Sequence, residues 1–310
     1  MNRPPNAIVE VDLARIRDNA EAVRRRVGVP VLAVVKADAY GLGAQRVARA
    51  LADVVEGFCV FSLEEAAAID LWALAAKPIL ALGPPDDVDP AEYRRRHVRP
   101  AVTTVEQAAG LRLADPILCV DTGMQRFACP AEQLDAVVTA GHCREAFNHA
   151  TRLDHVRELC RLTAGHTLMR HAAATSLLDE PAARLDAVRP GLALYRGALR
   201  VATRLTDARE SRGPVGYTGF AAARHGVIPV GYSHGLRPGP CLVNGERRTI
   251  REVGMQSAYV EIVPADRAGD EVTLLGAGLA ESEVAAAWRA TPQEVLLRLS
   301  GAAPRIYVGE

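Results

Sequence analysis

Lys36 closes the apolar run 31–35 and precedes Ala-Asp-Ala-Tyr-Gly-Leu-Gly at 37–43. An ammonium group at the end of such a run loses hydration, which favours the neutral amine, and a neutral amine can attack a carbonyl to form a Schiff base. A lysine that lays its stem on apolar surface and keeps its head in water would leave the same local pattern. Other chemistry-bearing groups recur at comparable places. Tyr40 follows Lys36, and Asp121-Thr122-Gly123-Met124-Gln125-Arg126 follows a later apolar run. His171 lies ahead of Thr175 and Ser176, and Arg189-Pro190-Gly191 interrupts another run.

The elements that must position these groups follow from periodicity. Short β-type runs occur at 31–35, 58–61, 78–82, 99–102 and 116–120, with weaker ones near Phe147, at 168–171 and at 188–194. Alanine- and arginine-rich stretches of helical spacing lie between most of them, as at 44–52, 63–72 and 105–113. Eight strands alternating with helices predict an α/β fold, a (β/α)8 TIM-type barrel, with an open parallel sheet as the alternative. Catalytic groups of such a barrel sit where strands end, which is where Lys36, Asp121–Arg126, His171 and Arg189 fall. An opening helix is expected after the N-cap candidate Asp12, with Leu13, Ile16, Ala20, Val23 and Val27 on one face.

After about residue 204 the pattern becomes β-type, with runs at 216–223, 226–232, 241–243, 249–253, 259–263 and 271–275. Asn244-Gly245 is a hairpin signal, and one helix is expected near 281–290, ahead of an apolar run at 295–299. The chain therefore divides into a barrel over 1–204 and a C-terminal, mainly β domain over 205–310, with residues 1–10 as candidates to pair with the latter.

Composition narrows the ligand class. In 310 residues, 37 Lys plus Arg balance 37 Asp plus Glu, so no global field recruits nucleic acid or an anionic membrane. A small molecule is the expected ligand. The six cysteines form no CxxC pair, which argues against a zinc site or a disulfide framework, and no metal is expected. The N-terminus lacks an apolar signal core and no run approaches a membrane span, so a cytoplasmic protein is expected.

The order of motifs closely resembles the alanine racemase family, as a divergent member. The matching stretches are 33–43, 121–126, 188–197, 228–235 and 269–276, with a weaker tail at Pro304-Arg305. The resemblance implies a pyridoxal 5'-phosphate (PLP) enzyme that racemises an amino acid with two bases. Lys36 would carry the cofactor and act on one face of the substrate α-carbon, with Tyr232 of a partner subunit on the other. Arg189 would face the pyridine nitrogen. Tyr40, Thr175 and the backbone at Gly191 and Leu192 would hold the phosphate, with His171 in the same cofactor shell. Arg126 and Met255 would bind the substrate carboxylate. A homodimer with shared sites is implied. Tyr232 as a packing tyrosine, Arg189 as a salt-bridge residue and Arg126 as a solvated charge are the structural alternatives.

The chain departs from the family pattern near the substrate. Cys119 stands where a lysine, sometimes carbamylated, is common. The family's Thr-His-Phe-Ala-Thr reads Phe147-Asn148-His149-Ala150-Thr151, so its histidine corresponds to His149 or to Asn148. His234 and Gln256 replace aspartates, and Gly301 stands where a tyrosine narrows the entrance. Alanine is the family default, with a larger amino acid as the altered-specificity reading. Another PLP reaction at the α-carbon (decarboxylase, aldolase or lyase) and a catalytically impaired PLP-binding regulator are the competing readings.

Overall fold

The computed structural model describes residues 6–309. The described chain forms two compact units, one of residues 16–39 and 43–194, the other of residues up to 15, 40–42 and from 195 onward. Residues 1–5 of the expected N-terminal pairing segment lie outside the described residues. No described helix is long and apolar enough to cross a membrane.

The first unit is a curled sheet of seven parallel strands in sequence order: Leu32–Val34, Gly57–Val60, Ile79–Ala81, Val98–Val102, Ile117–Cys119, Glu145–Ala150 and Met169–Ala173. Several of these short strands are buried throughout, as expected when both faces of a parallel sheet are covered. The expected eighth strand at 188–194 does not form. Residues 187–190 close the curl through isolated bridges of Val188 to Val31 and Ala187 to His171, and a short helix, Leu192–Tyr195, follows. Pro190 has no N–H to donate, so the segment accepts at Val188 and Pro190 from the Leu32 and Val34 amides without extending the ladder.

Helix boundaries follow local capping. The opening helix, Leu13–Val27, is capped by Asp12, whose Oδ1 accepts the Arg15 N–H at 2.9 Å. Its predicted face is buried. The stretch expected as one helix at 63–72 breaks into Leu63–Ala68 and Leu71–Ala75, because Asp70 between them has φ 47°. Likewise 105–113 gives Val105–Gly110 followed by a 3-10 turn, Arg112–Ala114.

The second unit is a nine-stranded mixed sheet in which Ile8–Asp12 lies between Leu199–Arg204 and Arg305–Val308. Asn244 (φ 48°) and Gly245 (φ 85°) turn the hairpin between Gly239–Val243 and Glu246–Val253, as a type I′ loop requires. The run at 216–223 is not a strand. Gly216 and Gly219 take positive φ, and the Tyr217 and Thr218 amides donate to the buried Glu252 carboxylate instead of to a neighbouring strand. The run at 295–299 lies in a helix, Pro292–Leu299, capped by Thr291.

One local conformation departs from ordinary backbone preference. Ala37, Asp38, Ala39 and Tyr40 all have φ between 52° and 59°, a left-handed turn directly after Lys36. That conformation costs non-glycine residues roughly 1–2 kcal/mol each. The turn is pinned by Ala39 N–H to Val35 O (2.8 Å), Gly43 N–H to Asp38 O (2.9 Å) and Ala44 N–H to Asp38 Oδ1 (2.7 Å). Glu65 accepts from both the Ala37 and the Phe61 amides. Because Ala37 is exposed, Ala37→Gly should raise stability in urea unfolding by about 1 kcal/mol, whereas Ala37→Val should lower it. The loss normally produced by glycine in a right-handed helix would contradict this reading.

Candidate active site

Lys36 lies at the end of the first barrel strand and lines an open cavity with Arg126, Arg189, Cys119, Phe147 and His149. Burial lowers the Lys36 pKa below the ordinary lysine range. The Arg126 and Arg189 charges push the same way, with Glu65 opposing. The group is thereby biased toward the free amine.

Arg189 is 4% exposed and makes no ion pair among the described residues. Its Nη2 donates to the carbonyls of Asn148 and His171, and its guanidinium carbon sits 4.8 Å from the centroid of the Phe147 ring. Burial lowers its pKa, but a guanidinium remains charged at any physiological pH. Its Nε has no hydrogen-bond partner.

A buried charge relay that periodicity did not disclose lies beneath this arginine. Arg99 pairs with Glu145, and Glu145 Oε1 is 2.7 Å from His171 Nε2. Burial drives the His171 imidazole down to about 4 despite the Glu145 hydrogen bond, so it is neutral near pH 7. Burial also opposes the Glu145 charge, but the His171 hydrogen bond and the charge and hydrogen bond of Arg99 outweigh it, holding the carboxyl below its ordinary range. The neutral ring therefore donates from Nε2, and its Nδ1 is left without a partner. Charged residues inside otherwise apolar strands, Arg99 and Glu145, were the available sequence signal.

Arg126 lies in a loop turned by Asp121, whose Oδ1 accepts from Gly123 and Gln125. Asp121 is the one carboxylate lining the cavity among the described residues, and it is occupied by these amides. Burial pushes the Cys119 thiol up to about 12, against the neighbouring arginines, so it is an uncharged wall group. His149 lines the cavity, held below the ordinary imidazole range by surrounding protein and then by Arg189, Arg126 and Lys36. Asn148 instead is buried, donating to Thr122 Oγ1 and the His155 carbonyl. Its Oδ1 has no partner.

Thr175, Gly191 and Leu192 meet elsewhere in the same unit. Thr175 Oγ1 accepts the Ala193 N–H at 3.0 Å, and the Leu194 amide returns to Gly191 O. This joins a threonine hydroxyl to the first turn of the short helix, whose leading amides have no acceptor within the helix.

Tyr40, Tyr232 and Met255 belong to the other unit. Tyr40 packs on the buried Tyr195 with ring centroids 5.0 Å apart. Tyr232 and Met255 sit side by side, because Tyr232 N–H donates to Gly254 O and Ser233 donates to Met255 O from both N–H and hydroxyl. Gly231 makes this approach possible, as a Cβ there would lie 2.3 Å from Gly254 O. His234 closes the turn through Nδ1, which accepts the Gly231 N–H. Tyr232 and Met255 are 56% and 61% exposed. At Gly301 a Cβ would meet only one atom, 3.9 Å away, so the position is open.

Comparison with known proteins places this geometry. Residues 11–156 match the family model for the N-terminal domain of alanine racemase, and residues 201–307 match that for the C-terminal domain. Alanine racemase of Aeromonas hydrophila is 30% identical over 357 aligned positions, covering 97% of this chain and 99% of that protein. The crystal structure of biosynthetic alanine racemase from Pseudomonas aeruginosa aligns with a TM-score of 0.89 at 28% identity, over 98% and 99% of the two chains. Alanine racemase from Bartonella henselae with covalently bound pyridoxal phosphate has the same fold, with a TM-score of 0.89 at 23% identity, over 98% of this chain and 100% of that one. Matched in both parts and over nearly its whole length, this chain belongs to the alanine racemase family.

Proposed function

We propose that this chain is a PLP-dependent amino-acid racemase, working in the cytoplasm as a homodimer with shared sites. The observation that carries the reading is the cavity joining Lys36, Arg126 and Arg189. It brings together one amine biased toward its neutral form and two guanidiniums without carboxylate partners among the described residues. The Arg189 guanidinium, which lines the cavity, suits an acceptor such as a pyridine nitrogen. The Thr175 hydroxyl and the amides after Gly191 suit a phosphate. The donor set therefore fits the cofactor.

PLP, when bound, supplies an electron sink that acidifies the substrate Cα–H. Lys36 would hold the cofactor through Nζ and move a proton at one face of that carbon. Tyr232 of a second copy moves a proton at the opposite face, since inversion requires removal on one side and return on the other. Arg126 orients the carboxylate by a paired N–H fork, with the Met255 amide of the second copy assisting. Arg189 would keep a positive charge against the pyridine nitrogen, limiting electron withdrawal and favouring proton return over transamination. Retention of that cation supports racemisation over decarboxylation, aldol cleavage or elimination. The uncharged Cys119 beside Arg126 is the feature that favours the impaired regulator.

Incubating the protein with PLP and an amino-acid mixture in deuterated water separates these readings. Racemisation gives deuterium at Cα with loss of chirality; a regulator gives no exchange, and other chemistries give altered carbon skeletons. Tyr232→Phe should slow racemisation by on the order of 10²–10⁴, while both enantiomers racemised at undiminished rates would remove Tyr232 from the mechanism. A second expectation concerns pH. Lys36 reacts as the free amine and its pKa is lowered, so PLP capture by the apoprotein should rise with pH along a limb below 10.5. Arg126→Gln removes a cation that lowers that pKa and should move the limb upward. An unmoved limb would show that Arg126 does not act on Lys36.

A further inference from the structure

The cavity that holds the cations also has an apolar wall that the chemistry above does not use. Phe61 and Phe127 line it, 41% and 51% exposed, edge-to-face with centroids 6.4 Å apart. Leu82 and Met124 continue the wall. Two features show that this aromatic pair is held in place at a cost.

Phe127 has φ 46° and Gln125 has φ 54°, so left-handed residues flank Arg126 on both sides. A bulky side chain is an outlier in that region, where glycine or asparagine would be at ease. The loop is nonetheless fixed. Asp121 Oδ1 accepts two of its amides, and the backbone pairs Asp121 N–H to Cys129 O and Cys129 N–H to Cys119 O pin its two ends. Opposite, Gly83 leaves room for the Phe61 ring, since a Cβ there would lie 2.9–3.0 Å from its edge. Strain that presents a half-exposed ring inside a binding cavity points to a ligand that covers the ring.

We infer that Phe61 and Phe127 form an aromatic clamp for the substrate side chain, and that the substrate is an amino acid whose side chain is apolar and larger than methyl. This inference rests on the racemase reading above. The same loop presents Arg126 to the carboxylate and Phe127 to the side chain, so one rigid segment reads both ends of the substrate. A methyl group offers a single carbon to two rings; a branched or aromatic side chain covers both. Each added methylene in such a pocket is worth about tenfold or more in selectivity.

The test compares the holoenzyme on L-alanine, L-norvaline, L-leucine and L-phenylalanine by Cα-deuterium exchange, followed by the same series for Phe127→Ala, Phe127→Gly and Phe61→Ala. The expected result is a kcat/KM for leucine or phenylalanine at least about tenfold above that for alanine, with that ratio falling toward one in each variant. Phe127→Gly should also unfold at no lower temperature than the parent, because glycine relieves the left-handed strain; this readout does not depend on turnover. Preference for alanine with ratios unmoved by the variants overturns the clamp and leaves the racemase reading standing. A change in dimer mass in place of selectivity assigns the pair to subunit contact and likewise overturns it. Absence of exchange with every amino acid overturns both.

Discussion

Arg189 is a cation buried where the barrel closes, and the surrounding structure is arranged around that fact. Burying an isolated charge is costly unless dipoles or counter-charges answer it. Here two backbone carbonyls and the face of Phe147 do so directly, while Glu145 answers at one remove through a neutral His171. Arg99 in turn neutralises Glu145. The arrangement leaves Arg189 charged, lining the cavity and without an ion pair among the described residues, so that its charge is available to a ligand there. A carboxylate beside it would have consumed that capacity.

The same cavity explains the character of Lys36. The chain contains 35 arginines and only two lysines, Lys36 and Lys77, so positive charge is otherwise supplied almost entirely by arginine. Arginine serves for ion pairs but cannot shed its proton, whereas a lysine amine can. Lysine at 36 therefore keeps a chemical capacity that arginine would not provide. The left-handed turn that follows it and the left-handed residues flanking Arg126 show where local strain is kept, next to two residues that line the cavity.

Much of this was legible from pattern. The apolar runs before Lys36 and Asp121, the Asp12 cap and the Asn244-Gly245 hairpin each depend on local physics, and each forms as read. The misreadings also have local causes. Residues 188–194 are apolar enough for a strand, but Pro190 cannot donate to a ladder. Residues 216–223 carry strand-like composition, but a buried Glu252, distant in sequence, takes their amides. The pairing of Arg99, Glu145 and His171 was hidden for a related reason, since it is assembled from three strands and no spacing encodes it. The aromatic pair was missed because single phenylalanines, Phe61 after a strand and Phe127 in a loop, read as core until their exposure is known.

The scarcity of lysine makes the central claim, that Lys36 carries the cofactor, unusually direct to test. The measurement is borohydride reduction of the protein after incubation with PLP, followed by peptide mass mapping. One stoichiometric pyridoxyl phosphate adduct on the peptide containing Lys36, with Lys77 unmodified, is the predicted result. No adduct, or an adduct confined to Lys77, would contradict the account.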